Sequence, residues 1–153
     1  MDTDIEFKIR GINTVSIERN KEIALRLATN GWGTVFGWEK VWDELVATDV
    51  VQHFCSSIES ITGLAEVKNF EATLFKGFPG IEQTISQVIA ENDYVVYFHT
   101  LQGKNTGVFM DIHPTDKDVK VTGFTMLRID DGKVVERWYE TNLLEVMQQI
   151  GVI

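Results

Sequence analysis

Cysteine is almost absent from this chain: Cys55 stands alone among 153 residues. A lone cysteine makes no internal disulfide, which suits a reducing compartment. It has no basic neighbour in sequence, so Cys55 reads as an unreactive packing residue. Proline is nearly as scarce. Pro79 and Pro114 lie far apart and each punctuates a turn. No linker, repeat or low-complexity tract divides the chain. Positive charge is short too, with 14 Lys and Arg against 23 Asp and Glu, a net of −9. That balance argues against nucleic acid and anionic membranes as partners, since both need a positive footprint. No apolar run approaches the roughly 20 residues that span a bilayer. The start, Met1 to Glu6, lacks the basic and apolar regions of a signal peptide, so the expectation is a cytoplasmic protein. Histidine is limited to His53, His99 and His113. No two share the spacing of a zinc helix and one cysteine completes no metal pattern, so no metal is expected. Gly103 to Gly107 lacks the Gly-Lys-Ser/Thr of a phosphate loop, and no helix follows it, which excludes nucleotide binding.

What is present describes one globular domain over residues 1–153. Hydrophobic residues make up 44% and charged residues 24%, and a chain this long buries roughly 70% of its unfolded surface. Residues 1–15 show no clean period and read as an arm, with room for a short edge strand. Ser16 is a candidate N-cap for a helix from Ile17 to Thr29, where Ile23, Ala24, Leu27 and Ala28 form one stripe. A second helix, Gly37 to Ala47, carries Trp38, Val41, Trp42 and Leu45 at helical spacing. Asp49 to Phe54 reads as a strand. Thr62 opens a third helix with Leu64, Val67, Phe70 and Leu74 inward, and Gly77 to Gly80 stops it.

Beyond Gly80 the period changes to that of strands. Ile81, Ile85 and Ile89 share a parity over 81–91, followed by strands at Tyr94 to Gln102, Lys120 to Ile129 and Val134 to Thr141. A long polar loop, 103–118, interrupts them. Asp131-Gly132 is a two-residue hairpin signal, and Asn142 with Glu145 resembles a capping box for a last short helix. Helices followed by antiparallel strands predict an α+β fold: a strongly curved, mostly antiparallel sheet with helices on its concave face, closing a cone with an internal pocket.

Several segments carry a likeness in this order and spacing: Gly63-Leu64-Ala65-Glu66-Val67, Phe75-Lys76-Gly77-Phe78-Pro79-Gly80, Gly103 to Gly107, Phe109 to Thr115, Arg128 to Trp138, and Gln148 to Gly151. Through them the chain resembles the SnoaL-like polyketide cyclases of the nuclear-transport-factor-like α+β superfamily. The resemblance implies a cofactor-free enzyme that closes a ring by intramolecular aldol chemistry on a polyketide ester. It also implies a homodimer packed through the outer sheet face. Three positions depart from the family pattern. The aspartate after the last-strand tryptophan is Tyr139, the loop histidine between threonines is Asn105, and two loop glycines are Asp111 and Asp116. An epoxide-hydrolase variant of the fold needs two aspartates flanking an arginine, and no acid shares the strand face of Arg137.

Strand parity puts Arg137, Tyr139 and Thr141 on one face and Glu136, Trp138 and Glu140 on the other. By resemblance the Tyr139 face looks into the cavity. A phenol is a poor general base but a usable oxyanion donor, so Tyr139 is a catalytic candidate. Arg137 either anchors a ligand carboxylate or pairs with an internal acid, because a guanidinium is seldom buried alone. His99, in an otherwise apolar strand, is the acid/base candidate. Gln52 and Thr125 match polar pocket positions of the family. Trp32, between Gly31 and Gly33, falls where the cavity mouth would be and could stack on a planar ligand. His113 could belong to a lid. Trp138, on the outer face, is expected to be covered by a second copy. The expected ligand is a hydrophobic small molecule. With Tyr139 in place of the acid, a non-catalytic binder on the same scaffold is the alternative.

Overall fold

The computed structural model describes residues 3–54 and 57–153, with side chains from Ser16 onward. Cys55, and its reading as a packing residue, lies outside the described residues. The elements run in the order α1 (Thr3–Asn30), α2 (Trp38–Leu45), β1 (Val46–Phe54), β2 (Ser60–Thr62), α3 (Leu64–Gly77), β3 (Glu82–Glu91), β4 (Tyr94–Lys104), β5 (Asp118–Asp130), β6 (Lys133–Thr141) and α4 (Leu143–Gln149). The fold is α+β. One six-stranded sheet has the order β2-β1-β6-β5-β4-β3. All neighbours are antiparallel except β1 and β6, which run parallel.

Turn chemistry sets this order. Asp131 and Gly132 both take positive φ, 46° and 75°, the geometry of a tight hairpin whose twist matches its strands. Asn92, at φ 53°, turns β3 into β4. Curvature has its own cause. The pairing register shifts between Val46 and Val51, between Ile85 and Gln87, and between Arg128 and Ile129. Each extra residue bends its strand and raises the local twist. The helices close on the concave side: α1 packs on β3 and β4, α3 on β1 and β2, and α4 on β5. The core between them holds Ala24, Leu27, Trp42, Val67, Val95 and Leu127, all almost fully buried. Trp42 is also pinned, because its Nε1 donates to the Gly31 carbonyl at 2.5 Å.

Several expectations are corrected here. The first helix begins at Thr3, so residues 3–15 continue it rather than forming an arm or edge strand, and Ser16 is interior instead of a cap. Strand β1 starts at Val46, earlier than the second helix was expected to end, and β2 was not foreseen. The bulge at Ile85–Gln87 reverses the parity of β3, which leaves Ile89 exposed while Ile85 packs on the core. On α3 the fully buried residues are Leu64, Val67, Glu71, Phe75 and Gly77, so the inward face includes an unforeseen glutamate, while Phe70 and Leu74 are half-buried and line the cavity.

Candidate functional site

The pairing register lays out the concave face as a grid. Val95, Leu127, Arg137 and Gln52 form one row across β4, β5, β6 and β1. Tyr97, Thr125, Tyr139 and Phe54 form the next, and His99, Gly123 and Thr141 the one after that. Alternation along each strand turns all of these inward. The five candidates Gln52, His99, Thr125, Arg137 and Tyr139 therefore lie in three adjacent rows, and all five are buried.

The innermost part is ionic. Arg137 Nη1 donates to Glu71 Oε1 at 2.6 Å and to Gln52 Oε1. The guanidinium carbon sits 5.5 Å from the Trp42 ring centre and 4.7 Å from that of Tyr139. Of the two readings of Arg137, the structure takes the internal acid. The acid comes from α3, one helix away from the strand where it was sought. Burial works against the Arg137 charge, but Glu71, Tyr97 and Tyr139 together outweigh it and hold the guanidinium above its ordinary value. Gln52 belongs to this pair rather than to the cavity wall.

Next along the grid, His99 stacks on Tyr139 with ring centres 5.7 Å apart and planes 17° apart. His99 Nε2 lies 3.3 Å from Thr141 Oγ1. The two residues sit on β4 and β6 and meet only because β5 has a glycine between them. A Cβ on Gly123 would lie 2.6 Å from His99 Nε2, 3.0 Å from Thr141 Oγ1 and 2.1 Å from the Glu140 carbonyl. Burial, helped by the nearby Arg137 charge, lowers the His99 pKa from 6.5 to about 4. Burial raises the Tyr139 phenol well above its usual 10, with the Glu71 carboxylate adding to the shift. At neutral pH this end of the site therefore shows a neutral imidazole and a protonated phenol.

Above these groups lies a cavity of about 370 Å³. Phe70 and Leu74 of α3, Phe109, Leu101 and Val121 make most of its wall apolar, while Tyr139 and Thr141 contribute hydroxyls. Trp32 does not stand at its mouth as expected. It is buried, and its ring meets Phe75 edge-on at 5.2 Å, because the chain after α1 folds inward over α3. His113 is exposed on the loop and does not line the cavity.

The loop over residues 105–117 is tied down by Asn105. Its Nδ2 donates to the Gly77 and Gly107 carbonyls at 3.1 and 3.0 Å, and its Oδ1 accepts from Thr115 N and Oγ1, both at 3.0 Å. All of its bonding capacity is used. Asp111 and Asp116 hold φ of 63° and 57°, so the backbone keeps the left-handed conformation that glycine would adopt there. Trp138 lies on the opposite sheet face, half-buried, stacked on His53 with ring centres 4.8 Å apart. His53 Nε2 meets Glu136 Oε2 at 2.9 Å, and Arg128 meets the other oxygen at 2.6 Å. The hydrogen bonds from His53 and then Arg128 hold the Glu136 carboxyl below its usual range. No group of metal-ligating side chains occurs among the described residues, and none of their helices is long and apolar enough to cross a membrane.

Sequence reasoning missed Glu71, Tyr97 and the contact of Thr141 with His99. One signal for Glu71 was available: it falls four residues after Val67 and four before Phe75, on the apolar stripe of α3.

The fold has relatives among solved structures. A protein of Jannaschia sp. CCS1, named as a candidate SnoaL-like polyketide cyclase, is 35% identical; the match covers 89% of this chain and 94% of that one, with a TM-score of 0.84. AclR, a candidate hydroxylase of Streptomyces galilaeus, is 23% identical over 90% and 98% of the chains, at TM-score 0.77. IdmH, a candidate polyketide cyclase of Streptomyces antibioticus, is 20% identical over 86% and 98%, at TM-score 0.73. These last two show the fold alone. A comparison with curated proteins finds no match. The family model of SnoaL-like polyketide cyclases matches residues 22–150, and the chain belongs to that family.

Proposed function

We propose that the protein is a cofactor-independent cyclase or isomerase of a hydrophobic ketone or ester, with Tyr139 as the oxyanion donor. The observation that carries this reading is Tyr139 itself: a protonated phenol lining a mostly apolar cavity and backed by a stacked, neutral imidazole. Removing the proton next to a substrate carbonyl gives an enolate. Its oxygen would accept from the Tyr139 hydroxyl while its carbon attacks a second carbonyl. The proton then returns to the new alkoxide. His99 does not line the cavity, but it lies 3.3 Å from Thr141, which does, and it is the group that would carry the proton through the Thr141 hydroxyl. An imidazole with a pKa of about 4 is a weak base, so activated ketoesters are the substrates of choice. The low basicity of His99, with a phenol where the family acid stands, also favours a second reading: a non-catalytic binder of the same hydrophobic molecules.

Tyr139→Phe decides between them. If Tyr139 is the oxyanion donor, turnover of an activated ketoester falls about 10²–10³-fold while Tm moves little. Turnover that survives the substitution removes the assignment. A binder has no turnover to lose and shows only a modest loss of affinity.

We propose a second copy of the chain as the occupant of the convex face. Phe98, Tyr94 and Ile89 are exposed there beside half-buried Trp138, and a second copy of the chain would cover them. Light scattering at micromolar concentration is expected to give a dimer, and Trp138→Lys a monomer. A monomeric wild type would overturn the pairing.

A further inference from the structure

Among the described residues, four buried polar atoms around Arg137 and Tyr139 have no hydrogen-bond partner: Gln52 Nε2, Glu71 Oε2, His99 Nδ1 and Thr125 Oγ1. Two of these are fixed in kind. Because Arg137 Nη1 donates to Gln52 Oε1, the amide orientation is set and Nε2 is left as a donor. The same Nη1 donates to Glu71 Oε1, which leaves Oε2 as an acceptor. A donor without an acceptor and an acceptor without a donor thus flank one guanidinium.

Charge narrows what could answer them. Among the described residues Arg137 is the buried cation and Glu71 the buried anion, and they are spent on each other. A ligand carboxylate entering here would meet Glu71 with no free cation to receive it. An ammonium would meet Arg137. A bare ketone oxygen would accept from Gln52 and leave Glu71 unanswered. A neutral hydroxyl does both: it accepts from Gln52 Nε2 and donates to Glu71 Oε2.

The geometry points to a second ligand subsite behind Tyr139, where Gln52 and Glu71 bind the neutral hydroxyl end of a hydrophobic hydroxyketone. It rests on the proposed reading of the cavity and deepens it. The four atoms are sealed from solvent and none of their residues lines the cavity; Tyr139 lines it, and its ring lies over the Arg137 guanidinium. The ring therefore turns aside when the hydroxyl enters. A hydroxyketone is also what aldol ring closure yields, since the attacked carbonyl becomes a hydroxyl. The same two residues would then hold the product's new hydroxyl.

The test uses three neutral-to-acidic probes on one bicyclic frame: 1-tetralone, 4-hydroxy-1-tetralone and 4-oxotetralin-1-carboxylate. Binding to the full chain is read by calorimetry at pH 7. The hydroxyketone is expected to bind at least about tenfold tighter than 1-tetralone, since a buried site built for a hydroxyl rejects the analogue lacking it. The carboxylate should bind weakest. In Gln52→Met the hydroxyl preference should fall to about one, with the affinity for 1-tetralone kept. No preference in the wild type, or a preference that survives Gln52→Met, overturns the subsite. If Gln52→Met does not fold, the three wild-type affinities decide alone. Binding of 1-tetralone that Val121→Trp abolishes, without any hydroxyl preference, leaves the cavity reading standing and removes the subsite. Binding of none of the three probes removes both.

Discussion

Two fully buried amides lie along α3, Gln52 beside the Arg137–Glu71 pair and Asn105 at Gly77. Asn105 uses its whole bonding capacity to tie the 105–117 loop to the end of α3. Gln52 uses one atom, on Arg137, and leaves its NH₂ with nothing. Burial and functional group are the same; saturation is not. A buried donor left unmade costs about 1–3 kcal/mol, and a fold tolerates that cost where something besides stability is selected. The loop corner is therefore structural, and the unmet groups around Arg137 are the ground on which a site is proposed there. The contrast also accounts for Asn105 at a position where the family resemblance expects a histidine: here that position holds a loop in place.

The largest effect should come from cutting the ion pair at the unsaturated corner. Glu71→Leu leaves the Arg137 charge buried without its partner, which typically costs about 3–5 kcal/mol. Adding Arg137→Met to that change should recover most of the loss, because well-packed apolar groups replace a buried pair at little or no cost. Urea unfolding of the two variants reads the difference. A Glu71→Leu protein as stable as the wild type would mean that the pair is solvated and the corner is not what it is described to be.

Much of this was legible in the sequence, for physical reasons. Hairpin chemistry at Asp131-Gly132 and strand parity on β6 depend on local geometry alone, and they put Arg137 and Tyr139 inward and Trp138 outward. Glu71 was not legible, because a glutamate on an amphipathic helix is by default a solvated residue. Only the partner four elements later in the chain makes burial affordable. Ile89 was misplaced for a related reason: a bulge inverts parity, and nothing at Ile85 to Gln87 announces one. The long first helix lacks a regular apolar period over residues 1–15, so pattern reading had nothing to follow there.

A pH profile sharpens the comparison next. The unfolded His99 titrates near 6.5 and the folded one at about 4. Between those values the unfolded chain binds a proton that the folded chain refuses, so stability is full above pH 6.5 and falls as pH drops toward 4. The gap corresponds to about 3 kcal/mol. His99→Phe keeps an aromatic ring against Tyr139 and cannot titrate. Its stability should be flatter over that window by most of this amount. Equal slopes in chemical unfolding at pH 7, 5.5 and 4.5 would show that His99 is not held neutral by burial.

The smallest effect is the most discriminating, because it is a near absence set against a loss elsewhere. Asn105→Ala strands the Gly77 and Gly107 carbonyls and Thr115 N together, and should destabilise the protein by about 1–3 kcal/mol. Thr125→Val is the matching change at the other corner. It swaps a hydroxyl for a methyl of similar size on a strand, where valine is at home. Among the described residues Thr125 Oγ1 makes no hydrogen bond beyond its approach to the Tyr97 phenol, so the change removes a polar atom that is unmet or weakly met. The loss of about 1 kcal/mol that usually follows removal of a buried hydrogen bond should therefore not appear, and Tm should hold or rise. A Thr125→Val protein destabilised as much as Asn105→Ala would mean that the hydroxyl is satisfied in the folded chain. The saturated and unsaturated corners would then be one kind of structure, and the case for a site around Arg137 would have to rest on the cavity and Tyr139 alone.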